Sequence, residues 1–373
     1  MSDLPVWDPP APRKSQPLPE RAEVVVVGGG ITGAAAMHWL ARERVDAVLL
    51  ERDHLAAGAS GRNAGFVLTG VAANYALAAR TYGRDIAREV WHFTADNHAL
   101  LEEILQGRAG HARRGSLTLA ASREEADLLR ESEAMLDEDG LPGRWVAAGD
   151  GMPFGGLVNG ADGELHPSAT VDAIAGTARI VEKTAVTSIE PGTTSVRVHT
   201  ENAEIEAGAV ILATNAYTAA LAGMVPIRPV RAQMLATAPV DARVAQRPTY
   251  AHWGYRYWRQ YDDGRVLVGG WRDTAVDAEV GTDAIPNPDV QAHLDAHLAS
   301  LDVTAPVTHR WAGIMGFSPD ELPLVGEIPG MRNVYVCGGY TGHGMGFAVN
   351  ATRVLTRHMV DGEPIPAWLR ANR

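Results

Sequence analysis

The sequence predicts an α/β fold in which a parallel, Rossmann-type dinucleotide-binding part is joined to a second, α+β part built on an antiparallel sheet. A β-branched run, Glu23–Val27, leads straight into Gly28-Gly29-Gly30-Ile31-Thr32-Gly33, and a helical stretch and the run Asp46–Glu51 follow. Strand, helix and strand within about 30 residues make a βαβ unit. Farther on, Tyr255–Tyr261 and Arg265–Gly269 flank Asp262-Asp263-Gly264, the signal of an antiparallel hairpin.

Taken in chain order, Met1–Arg21 holds six prolines and no apolar core of a signal peptide, so it reads as an extended arm. Glu23–Val27 is short and β-branched at each of its four valines, as a buried parallel strand should be. Gly30–Glu43 is helical in character. Residues ~90–107 and ~123–139 mix apolar and charged faces as amphipathic helices do. Strands are expected at Ala185–Ile189, Ser195–Thr200, Ala209–Ala213 and Asn333–Cys337, the last entering a glycine-rich loop, Gly338–Gly346, and a closing helix.

The glycines of residues 28–33 each have a reason. Gly28 allows the tight turn out of the strand, Gly30 lets a pyrophosphate meet bare backbone, and Gly33 lets the helix pack close to the sheet. The helix start offers free N–H groups and partial positive charge to phosphates. Glu51 lies 21 residues after Gly30, at the end of the second strand, where a carboxylate accepts ribose hydroxyls and repels a 2′-phosphate. A glycine-rich turn without a ligand is the bland alternative.

Composition narrows the function. Apolar residues make up 46% and charged residues 21%, an ordinary balance for a globular enzyme, and no run reaches the ~18 apolar residues a membrane helix needs. The formal charge of −12 argues against a nucleic-acid partner. One cysteine, Cys337, excludes an internal disulfide and fits a cytoplasmic location. The 13 histidines show no ligand-like spacing, so no metal site is expected.

The segment after Glu51 is rich in small residues (Ala56, Ala57, Gly58, Ala59, Ser60, Gly61) that let backbone lie against a flat ligand, with Ser60, Arg62 and Asn63 offering polar contacts. With VVVVGGGITG, LLERDHLAAGASGRNAG, VILATNAYT and VYVCGGYTGHGMG in this order, the whole chain resembles the D-amino acid oxidase superfamily of FAD-dependent oxidoreductases. SGRNAG, the Trp-containing proline-rich arm and WAGIMGFSPDELPLVG are most similar to its gamma-glutamylputrescine oxidase-like branch.

The resemblance implies a discontinuous organisation: an arm at 1–22, an FAD-binding domain from 23–90, 155–222 and 320–373, and an antiparallel-sheet substrate domain from 91–154 and 223–319. It implies FAD contacts from Gly28, Gly30, Ile31, Thr32, Gly33, Glu51 and Arg52, and from Ser60, Gly61, Arg62, Asn63, Ala64 and Gly65. Val186 would meet the adenine, Thr214 and Asn215 would pass under the cofactor, and Gly339, Tyr340, Gly342, His343, Gly344 and Met345 would face the flavin pyrimidine. Branches with covalent flavin attach it through a cysteine near the position of Met315 or a histidine near that of Arg62. Neither residue type is present, so the FAD is expected to be non-covalent. Other branches place a carboxylate-binding arginine at the position of Met315, and its absence disfavours a simple α-amino acid. A lysine that assists oxygen activation elsewhere in the family has no match near Leu267, leaving oxygen or an electron carrier as the acceptor.

The substrate is expected in the aromatic segment Tyr250–Arg272. Strand alternation puts Tyr255, Tyr257 and Arg259 on one face, apolar enough to box an amine, although the same residues could pack a core. Tyr340, Trp311 and Met315 complete the candidate substrate wall, and Arg256, Arg259 or Arg272 could partner a substrate carboxylate. His343, Tyr257 and Trp311 are the candidate catalytic residues. The expected activity is oxidation of an amine by hydride transfer to flavin N5, giving an imine that hydrolyses. The alternatives are an amino acid or N-methyl amino acid dehydrogenase or oxidase, and a non-catalytic FAD-binding subunit.

Overall fold

The computed structural model describes residues 2–14, 16–149 and 151–373; Met1 and Ser15 of the arm, and Asp150, lie outside the described residues. The strand β1 (Arg21–Val27) is the centre of the first sheet. It pairs in parallel with β2 (Ala47–Leu50) on one side and with Glu204–Leu212 on the other. Val27 stands level with both Leu50 and Leu212, so three strand ends open on the glycine turn. Ile180–Val181 extends this sheet beyond β2, and Val334–Gly338 and Leu324–Glu327 extend it beyond Glu204–Leu212.

The helix α1 (Ile31–Arg42) lies on one face of this sheet with the closing helix Gly344–Asp361 and the long helix Arg84–Leu105. The run Ala34-Ala35-Ala36 brings it close to its neighbours, and Trp39 Nε1 donates to Val349 O at 2.9 Å. The hairpin Val186–Pro191 and Val196–Thr200 covers the opposite face. Arg84–Leu105 starts earlier than periodicity alone suggests. Gly83, at φ +89°, separates it from the preceding helix Tyr75–Tyr82, and polar residues in its first turns hide the start.

The second sheet has eight strands, ordered Val307–Phe317, Arg228–Pro239, Arg265–Gly270, Arg256–Gln260, Thr249–Ala251, Ser116–Leu119, Gly156–Asn159 and Arg144–Val146. Every neighbouring pair is antiparallel except Thr249–Ala251 with Ser116–Leu119. The strand Gly156–Asn159 therefore pairs inside the second sheet, across the boundary drawn at 155. Val307–Phe317 and Arg228–Pro239 show no clean alternation because both faces are covered. The helix Pro288–Ser300 packs on one side, and Ala64, Val6 and Trp7 pack on the other.

The arm is anchored rather than free. Ser2 pairs with His309 at the edge of the second sheet, and Trp7 is buried between that sheet and the loop after β2. Among the described residues no helix is long and apolar enough to cross a membrane.

Leu40 is fully buried on the inner face of α1. Leu40→Ala should lower the unfolding free energy by about 2–5 kcal/mol, the range for a truncated core leucine. Urea denaturation of wild type and variant measures it, and an unchanged midpoint would show that this face of α1 carries no core.

Candidate functional site

One cavity of about 540 Å³ runs from the ends of β1 and β2 to the face of the second sheet. Its first end is built by the glycine turn. Gly28 has φ +108°, and a Cβ on Gly33 would stand 1.9 Å from Gly28 O. Gly33 therefore serves the seating of α1 and does not line the cavity. A Cβ on Gly30 would lie 2.9 Å from Ser60 Oγ, which accepts from Ile31 N at 2.9 Å. Glu51 accepts from Gly29 N at 2.6 Å and from Asp53 N at 2.8 Å. An ionised carboxylate has further lone pairs, so Glu51 can brace the turn and still receive a ribose hydroxyl. Helix α1 has no acid in its first turn and no side-chain cap at Gly30, which leaves the N–H groups after Ile31 for an anion. Arg52 lies over the Tyr217 ring at 4.2 Å, and Val186 and Thr214 line the same end.

The middle wall is the loop 57–65. Ala57, Gly58, Ala59, Ser60, Arg62, Asn63 and Ala64 line the cavity, but the polar side chains turn inward. Asn63 donates to Ala59 O and Ser60 O at 3.1 and 2.9 Å and accepts from Gly65 N at 2.7 Å. Arg62 donates to Ala57 O and Ala312 O at 3.0 and 3.1 Å. These side chains shape the loop, where the sequence suggested contacts to phosphate and ring. Gly61 and Gly65 do not reach the cavity: a Cβ on either would stand 2.3 Å from a backbone oxygen, Ala56 O or Leu165 O.

Two other expected residues also stand behind this wall. Trp311 is fully buried, and its indole donates to Arg62 O at 2.9 Å. Arg259 is fully buried, donates to Gly65 O and Leu165 O at 3.1 and 3.2 Å, and lies 3.5 Å from Glu164. Burial pulls its pKa down from the usual arginine value against the opposing charge of Glu164. Alternation placed Arg259 on the face of Tyr257 correctly. Two residues of strand carry it about 6.6 Å farther, past the end of the cavity.

The far end is aromatic. Phe66, Tyr250 and Tyr257 form an edge-to-face cluster with centroids 5.3 to 6.2 Å apart, and Tyr255, Arg272 and Met315 complete the wall. Burial pushes the Tyr257 phenol up to about 12. His343 stacks on Tyr250 at 6.3 Å, and burial lowers its pKa, so its imidazole is neutral near pH 7. Tyr340 shows the cavity its ring only, because its hydroxyl lies 3.0 Å from Thr32 Oγ1 and 3.3 Å from Cys337 Sγ. Gly339 is held outside the cavity by its N–H bond to Asn215 Oδ1 at 2.9 Å, while Asn215, Gly342, Gly344 and Met345 line it.

Sequence reasoning singled out neither Phe66 nor Tyr250. The available signal was the hairpin partner of Thr249–Ala251, which sets Tyr250 directly opposite Tyr257. Thr341 was missed as well. The residue lines the cavity, and its hydroxyl is buried with no hydrogen-bond partner among the described residues. The bare Gly30 cradle, the uncapped helix and this orphaned hydroxyl fit a long ligand with a diphosphate in the middle and polar ring edges at its end.

Residues 23–358 match the family described as DAO, FAD dependent oxidoreductase. The chain is 27% identical over 366 residues to a probable oxidoreductase OrdL of Rhizobium meliloti, covering 88% of this chain and 81% of that one. It is 26% identical over 355 residues to the gamma-glutamylputrescine oxidoreductase of Escherichia coli, covering 87% and 80%. The solved L-proline dehydrogenase from P. horikoshii shares the fold, with a TM-score of 0.80 at 20% identity over 95% of this chain and 98% of that one. With the family match spanning almost the whole chain, this protein belongs to the DAO family of FAD-dependent oxidoreductases.

Proposed function

We propose that this FAD-dependent oxidoreductase holds its cofactor without a covalent bond and oxidises the carbon–nitrogen bond of an amine. The observation that carries this reading is the continuity of one cavity from the phosphate cradle to an aromatic chamber that holds no carboxylate among the described lining residues. The helix-start N–H groups beyond Ile31, beginning with that of Thr32, would take the phosphates, Glu51 the ribose, Val186 the adenine side, and the Gly342–Met345 segment the pyrimidine edge. When bound, FAD accepts the hydride from the carbon beside the nitrogen.

The chain's own part is selection and dryness. Tyr257 and His343 are both neutral near pH 7, so the chamber favours an amine that enters as the free base, with the lone pair needed to form an imine. Phe66, Tyr250 and Tyr257 exclude water and fix the substrate's approach. No protein base is required. The imine hydrolyses after release, and the electrons pass to oxygen or to a carrier; oxygen consumption during turnover separates oxidase from dehydrogenase.

Denaturing the yellow holoprotein should release intact FAD into the supernatant. Met315 and Arg62 occupy the attachment positions, and Cys337 is fully buried away from the cavity against Tyr340. Flavin that stays with the precipitated chain refutes non-covalent binding.

Gly30→Val should fold, by circular dichroism, and purify colourless. The added branches would press on Ser60 and fill the space where a diphosphate meets backbone. Full flavin occupancy in this variant would remove the turn from the site.

Primary or secondary amines whose nitrogen is remote from any carboxylate should bleach the flavin anaerobically faster than glycine, sarcosine or D-alanine, by about tenfold or more, ~1.4 kcal/mol of transition-state preference. The reason is Met315, a thioether where an α-carboxylate would need a cation. Faster bleaching by the small amino acids reverses the assignment, and bleaching by neither class points to a non-catalytic subunit.

A further inference from the structure

Three arginines line the cavity. Arg62 is committed to backbone carbonyls, and Arg52, stacked on Tyr217, is exposed at the opposite end beside Glu51 and Asp53. Arg272 is the one at the aromatic end. It is half-buried there, and its side chain makes no hydrogen bond or ion pair among the described residues. Its guanidinium is held by rings alone, with Cζ 4.4 Å from the Tyr255 centroid and 4.9 Å from that of Phe317.

The adjacent carboxylate, Asp273, acts on it only through space, because both terminal nitrogens of Arg256 hold that carboxylate, at 2.5 and 3.0 Å. The carboxylates that line the cavity are Glu51 and Asp53, both at the opposite end. Glu51 accepts from the Gly29 and Asp53 backbone N–H groups, and Asp53 pairs with Lys183 at 2.5 Å. The groups that face Arg272 within the chamber, Tyr250, Tyr257 and His343, carry no negative charge: burial keeps both phenols protonated and the imidazole neutral.

A half-buried cation whose nearest carboxylate is held by another arginine is only partly compensated, and a planar fork lying against two rings is already oriented for a carboxylate. We propose that Arg272 is the substrate-specificity residue of this site, and that the amine oxidised here carries a carboxylate away from its nitrogen, bound by the Arg272 fork. The inference rests on the amine-oxidising reading above. It places carboxylate recognition after the strand Arg265–Gly270. The position of Met315 lies on Val307–Phe317, with Arg228–Pro239 between those two strands.

The test uses the holoprotein and two variants, R272Q and R272K. Anaerobic bleaching rates are compared within matched pairs: γ-aminobutyrate against butylamine, β-alanine against propylamine, and the N-methyl forms of each. In parallel, propanoate is titrated against the flavin spectrum, which needs no turnover. Wild type should favour the carboxylate-bearing member by about ten- to a hundredfold, the scale of a charge-assisted pair, and this preference should fall to about one in R272Q.

R272K, which keeps the charge and loses the fork, should retain a preference between the two, and propanoate affinity should fall in R272Q by the same factor. A preference equal in wild type and R272Q, or favouring the alkylamine in wild type, overturns the proposal. Should R272Q fail to hold flavin, R272K decides: an undiminished preference there overturns the proposal. If no amine bleaches the flavin, the amine reading fails by itself. The propanoate titration still judges Arg272, and binding that R272Q leaves unchanged refutes it.

Discussion

The approach of Gly33 to the Gly28 carbonyl is the constraint on which the rest of the site depends. With no Cβ between them, helix α1 begins directly at the end of β1, and its unpaired N–H groups face the opening between three strand ends. Two side chains from other segments lock this arrangement. Glu51, at the end of β2, holds Gly29 N, and Ser60, from the following loop, holds Ile31 N. The turn, the second strand and the loop are thereby fixed to one another before any ligand enters, and an anion meets a preorganised site.

The loop 57–65 is supported from outside the cavity. Its carbonyls accept the indoles of Trp7 and Trp311 at Asn63 and Arg62, and the guanidinium of Arg259 at Gly65. Placing a charged arginine in a fully buried position is costly. Backbone carbonyls, the nearby Glu164 and the rings of Trp7 and Tyr261 offset that cost by surrounding the guanidinium with partners. The consequence for function is a cavity wall of small side chains and backbone whose position is set by the second sheet and the arm together. The proline-rich arm, remote in sequence from everything it touches, is part of that support.

The two ends of the cavity differ in charge for a physical reason. Around the glycine turn, acid, arginine and helix dipole are interleaved at a partly exposed mouth, where charges remain solvated. In the aromatic chamber burial selects neutral forms, and Arg272 alone brings charge there among the described lining residues. A ligand that spans both regions, or two ligands that share them, is sorted by polarity along the length of one cavity.

The sequence by itself determined the βαβ unit, the glycine turn with Glu51 as its partner, the hairpin at Asp262–Gly264 and the loop and helix from Gly338 onward. Each is set by local geometry: bare backbone at Gly28 and Gly30, alternation along a strand, a turn of fixed length. Only the tertiary structure decided which aromatic and basic residues reach the cavity. Alternation gives the face of a side chain and not its depth, so Tyr257 lines the chamber while Arg259, on the same face, lies under Gly65. Trp311 is taken by a carbonyl 249 residues away in the chain. Read locally, Arg272 beside Asp273 is an ordinary surface pair. The hairpin brings Arg256 to Asp273 first, and that competition between strands, invisible to any local window, leaves the Arg272 guanidinium facing the cavity.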